Sequence, residues 1–189
     1  MSEVHTLTSH GRRPGFLGRF VRARSGATAV EFAMVALPFL ALVFATLELG
    51  MMFLVSTTLE SSAQQAARTI RTGQFQSGGG TAALYKKAVC DGLGWLHADC
   101  QANVYVDVRT FPTFAAVNGP LPLTNGAMDP SKVQFQAGAA CSIVLARAFY
   151  SWTLLAPDLS GIAHMIGNKV LLTAAASFRN EPFAGQNCP

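Results

Sequence analysis

The sequence is poor in charge. Asp, Glu, Lys and Arg make up only 13% of its 189 residues, about half the share of an average soluble domain. Part of its apolar surface is therefore expected to face lipid or other subunits. It also lacks the motifs that announce common catalytic chemistries: there is no Gly-x-Ser-x-Gly, no His-Glu-x-x-His and no phosphate-binding loop. Ser77-Gly78-Gly79-Gly80 has no Lys-Ser/Thr ending and reads as a flexible connector. His97 and His164 are isolated, with no carboxylate orienter evident in sequence, and Cys90, His97 and Cys100 match no common zinc spacing. No catalytic residue, metal, cofactor or small-molecule substrate is expected, and the chain does not read as an enzyme. A cationic face is missing too. Arg12, Arg13, Arg19, Arg22 and Arg24 all precede Gly26, and from Ala27 onward nine Lys and Arg balance nine Asp and Glu. A reader of phosphate backbones needs cations clustered on a folded surface, so no nucleic acid is expected as a partner.

What the sequence has is one long apolar run, from Ala27 to Val55, broken by Glu31, Pro38 and Glu48. A spanning helix needs about 20 mostly apolar residues, and Phe32–Val55 supplies them. Such a run is too long for the core of a cleaved signal peptide. Five arginines before it and none within it place the N-terminus in the cytoplasm by the positive-inside rule. The expected organisation is a basic cytoplasmic leader over 1–26, a transmembrane segment over 27–56 and a periplasmic domain over 57–189, in the inner membrane of a bacterium. Pro38 removes one helix hydrogen bond and is expected to kink or loosen the helix.

The helix is expected to continue to Thr72. Leu59, Ala63, Ala66 and Ile70 fall on one helical face, while Glu60, Gln64, Arg68 and Arg71 take the other. Gly73 is a stop signal. Thr81–Cys90 suits a short helix. Three strands follow: Asn103–Phe111, with Val104, Val106 and Val108 alternating with Tyr105, Asp107 and Arg109; Ala140–Trp152, apolar apart from Arg147 and so central; and Lys169–Arg179, with Val170, Leu172, Ala174, Ala176 and Phe178 on one face. Pro157–Asn168 reads as a loop or short helix. The fold class is α+β, with an antiparallel sheet packed on the C-terminal part of the long helix. All four cysteines follow the apolar run, which suggests disulfides. Three pairings are open. Cys90–Cys100 is the favoured first bridge, joining the short helix to the next strand, and it leaves Cys141–Cys188 to tether the tail.

The most informative segment is Ser25-Gly26-Ala27-Thr28-Ala29-Val30-Glu31-Phe32, where Gly26 ends the basic leader and an acid stands five residues later. A carboxylate in the bilayer costs a few kcal/mol and calls for a partner. Cleavage after Gly26 creates one, the ammonium group of Ala27, and Glu31 of one subunit could then pair with Ala27 of its neighbour. Glu48, near the far end of the run, marks the membrane boundary or contacts a membrane partner.

Gly26 through Phe32 resembles the processing site of Tad/Flp-type pilins, cut after Gly and carrying Glu-Phe or Glu-Tyr at the fifth and sixth mature positions. The rest of the chain is similar to TadE-like minor pseudopilins. That likeness includes Cys90 with Cys100, the strand end Phe149-Tyr150-Ser151-Trp152 and the tail Phe178-Arg179-Asn180-Glu181-Pro182-Phe183. The resemblance implies maturation by a prepilin peptidase and biogenesis of an adhesive, biofilm-forming pilus. The partners it implies are other Tad/Flp pilins, inner-membrane assembly proteins and the lipid bilayer. An uncleaved periplasmic scaffold of the same machine and a membrane-anchored periplasmic enzyme are the competing readings.

Overall fold

The computed structural model describes residues 24–155 and 168–188. Most of the leader and the segment 156–167, with His164, lie outside the described residues. Helix α1 (Arg24–Arg71) carries the whole apolar run and continues without a break through Pro38. It begins three residues before the expected Ala27, so Gly26 sits inside a helical turn. By contacts the chain divides into two units, residues 1–45 and 46–189. The described part of the first is helix alone.

The second unit is α+β. After α1 come a one-turn helix α2 (Gln74–Ser77), helix α3 (Ala82–Gly92), helix α4 (His97–Asn103) and strand β1 (Val104–Phe111). A two-residue hairpin, β2 (Leu123–Thr124) with β3 (Ala127–Met128), precedes strands β4 (Ile143–Thr153) and β5 (Lys169–Arg179). The main sheet has the order β1-β4-β5 and is antiparallel throughout. β4 is central, as its apolar run requires.

One core joins helix and sheet. Val55, Leu59, Ala63, Ala66 and Ile70 of α1 are buried with Tyr85 and Val89 of α3, the valines of β1, and Val170, Leu172 and Ala174 of β5. The helical face read from the four-three-four spacing is thus the covered face, and Glu60, Gln64, Arg68 and Arg71 are exposed. Small residues on α1 let the partner elements approach closely. The helix stops where Gly73 turns left-handed at φ 76°, and a Cβ there would lie 2.4 Å from the Phe183 ring. That position needs glycine on both counts.

Several boundaries differ from expectation. Asn103 ends α4 instead of starting β1, because its amide donates to Asp99 Oδ1 at 2.9 Å and closes the last helical turn. Ala140 to Ser142 form a turn before β4, with Cys141 at φ 65°. The glycine run is an ordered turn rather than a loose connector: Gly80 N–H donates to the Phe75 carbonyl at 2.9 Å, and Phe75 packs edge-on to Tyr85. Cys90 pairs with Cys100 and Cys141 with Cys188. Because Cys100 lies in α4, the first bridge joins two helices and not a helix to a strand.

The alternation in β1 places Asp107 on the polar side, yet Asp107 is fully buried. Arg147, its direct cross-strand neighbour on β4, donates to Asp107 Oδ2 at 2.7 Å and is itself only 6% exposed. Arg109 Nε reaches the same carboxylate at 3.0 Å, and so does Gln134 N–H at 2.8 Å. Arg147 Nη1 also donates to the Gly119 carbonyl at 2.8 Å. The long 112–142 connection folds over this face of the sheet and buries the charges. Asp107→Leu therefore leaves an uncompensated cation inside and is expected to cost about 3–5 kcal/mol, whereas Asp107→Leu with Arg147→Leu costs less than the single change. Urea unfolding of the detergent-solubilised full chain measures both.

Candidate membrane and assembly helix

The most apolar 18-residue window of α1 has a mean hydropathy of 2.2, and none of it is buried. Large side chains point outward all around this part, among them Val30, Phe32 (74% exposed), Leu37, Phe39 and Phe44. A helix apolar on every side needs an apolar surrounding, and its length suffices to cross a bilayer. Satisfied backbone groups are what such a segment requires in lipid, and continuity through Pro38 leaves only the Met34 carbonyl without its usual donor.

The two acids of this stretch have opposite environments. Glu48 belongs to the second unit and is half-buried, and its carboxylate accepts the Leu155 N–H just past β4. It thus contacts its own folded domain, a placement that sequence reasoning missed because Leu155 is distant in the chain. Glu31 is exposed and has no hydrogen-bond or ion-pair partner among the described residues. The two carboxylates are 17 positions apart, roughly 26 Å along a helix, close to the thickness of a hydrocarbon core. Among the described residues nothing lies within 4 Å of a Cβ added at Gly26, and Ala27 is exposed.

The C-terminal tail fastens the other end of α1. Glu181 N–H donates to the Arg71 carbonyl at 2.8 Å, satisfying one of the groups a helix terminus leaves open. The Glu181 carboxylate lies 3.2 Å from Arg71 Nε. Asn180 is buried and donates to the Ala139 carbonyl at 2.9 Å. The stretch from Phe178 to Phe183 is thus a strap across the helix end, and the Cys141–Cys188 bridge closes it.

His97 is less isolated than its sequence neighbourhood suggests, since α4 brings Nε2 to 3.1 Å from Asp91 Oδ1. The pair is exposed, and a hydrogen bond from Lys87 holds the Asp91 carboxyl below the usual range, with His97 adding to it. Tyr150 donates to Asp99, and burial followed by that bond pushes its hydroxyl up. Cys90 and Cys100 are bonded to each other, so they offer no thiolate to a metal. Among the described residues, no three His, Cys, Asp or Glu stand together as a metal site.

An exposed apolar helix near the N-terminus, continued by a covered face in a small α+β domain, fits a single-pass membrane protein. Residues 26–68 match the family model of TadE, described as TadE-like protein. The matched segment begins at Gly26 and includes Glu31, Glu48 and most of the covered face of α1. No curated protein and no solved structure gives a significant match to the chain.

Proposed function

We propose that this chain is a minor pseudopilin or assembly subunit of a Tad/Flp-type adhesive pilus. It sits in the bacterial inner membrane with the N-terminus cytoplasmic and the folded domain periplasmic, and it is matured by prepilin peptidase cleavage after Gly26. The observation that carries this reading is Glu31: an acid on an apolar helix, exposed and unpartnered among the described residues, inside the TadE-like match. Its cost in lipid is a few kcal/mol. The Ala27 ammonium of a neighbouring subunit removes that cost, and pairing at this one level sets the axial stagger between helices. Phe32, beside the acid, packs into the same junction. Two disulfides suit an oxidising compartment.

Cleavage needs an extended backbone at Gly26, whereas α1 already includes this residue. Glycine weakens a helix by roughly 0.5–1 kcal/mol, and the site lies in the first turn, where helix ends fray. The peptidase therefore has little to unwind. Helix continuity across Gly26 also favours a second reading, an uncleaved single-pass scaffold of the same machine.

Processing separates the two. Intact-mass analysis of native protein is expected to find a chain beginning at Ala27, and Gly26→Val is expected to retain the leader in cells that hold the peptidase. Equal masses for wild type and variant would leave only the scaffold. Glu31→Ala is expected to be cleaved normally yet to lower pilus number at least severalfold by electron microscopy. Wild-type pilus numbers in that variant would refute the pairing.

A further inference from the structure

β5 is an edge strand. It pairs with β4 over all 11 residues, from Lys169 to Arg179, and no other strand among the described residues pairs with its second side. Half of its backbone N–H and C=O groups therefore face away from the sheet, a template for another strand. Natural edges are usually defended by a bulge, a proline or an inward charge. β5 has none of these: its register is unbroken, and Val170 to Phe178 contains no charge and no proline. The side chains from Ala174 to Ser177 are small, so those of β5 itself do not crowd a second backbone there.

Beside this edge the exposed face of α1 forms an open groove of about 330 Å³ with β5, lined by Gln64, Arg68, Arg71, Ala176 and Phe178 among others. The groove is cationic. Arg68 has no ion-pair partner among the described residues, and Arg71 shares Glu181 while half-exposed. The cations Lys169 and Arg179 stand at the two ends of the strand. A second copy of the chain is a poor occupant. The antiparallel register that uses the whole strand sets Lys169 opposite Arg179 at both ends, and like charges directly opposite are destabilising.

We propose that the free edge of β5 and the Arg68 groove form a docking site for an extended acidic segment of a different protein, which adds as a fourth strand. Main-chain hydrogen bonds along Val170–Phe178 supply the affinity, and Arg68 selects for carboxylates. The proposal stands whether or not the chain is cleaved or belongs to a pilus, so its failure leaves the functional reading untouched.

The test uses the full chain in detergent micelles and two synthetic nine-residue peptides of alternating Val and Thr. One carries Asp at two positions, and the other carries Lys at the same positions. Hydrogen–deuterium exchange is expected to show slowed exchange within 170–178 on adding the Asp peptide and little change with the Lys peptide. Arg68→Glu, an exposed substitution, is expected to weaken the Asp peptide about fivefold while leaving exchange in β1 unchanged. Three results would overturn the proposal: no protection of β5 at millimolar Asp peptide, equal protection by both peptides, or protection that rises with protein concentration in the absence of peptide. The last would assign the edge to a second copy.

Discussion

Everything in this structure hangs on one helix that must satisfy two surroundings in succession. From Gly26 to Ala45 its residues are mostly exposed and nearly all apolar. From Val55 to Ile70 one face is covered by sheet and short helices, and the other is polar. That face lies in one core with buried residues of α3, β1, β4 and β5. The tail strap, the Gly73 turn and the Cys141–Cys188 bridge all act at the end of this covered stretch. They fix where the helix stops and so which of its residues face the core.

The acids along the helix follow from the same constraint. A carboxylate is tolerated in an apolar stretch only with a partner. Glu48 has one in its own domain. Glu31 finds none in the described residues, and the proposed pairing with a neighbouring subunit answers this asymmetry. The folded domain handles its buried charges differently: Asp107 and Arg147 face each other across two strands, and neighbouring donors complete the network.

Much of this was legible in the sequence where periodicity is strong. The four-three-four spacing marked the covered face of α1, alternation marked β5 from end to end, and near-continuous apolarity marked β4 as central. The misses have physical causes. Asp107 read as solvent-facing because alternation assigns sides without knowing what covers them, and here the 112–142 connection closes over the polar face. A signal was available: a lone cation in an apolar strand and a lone acid in another strand call for each other. Asn125-Gly126 carried the sequence of a hairpin turn, and both residues do adopt positive φ. With only two paired residues on each side, no alternation could reveal it. The Glu48–Leu155 contact and the edge of β5, unpaired among the described residues, depend on topology, which no local pattern encodes.

If Glu31 is neutralised by the amine that cleavage creates on a neighbouring subunit, the two groups are in contact in the membrane. Zero-length carbodiimide cross-linking of native membranes, followed by peptide mass analysis, tests it most directly. The expected product is an amide bond between the Glu31 carboxylate and an N-terminal amine of an adjacent subunit, lost in Glu31→Gln. Recovery of Glu31 unmodified, in chains that still carry the residues before Gly26, would contradict it.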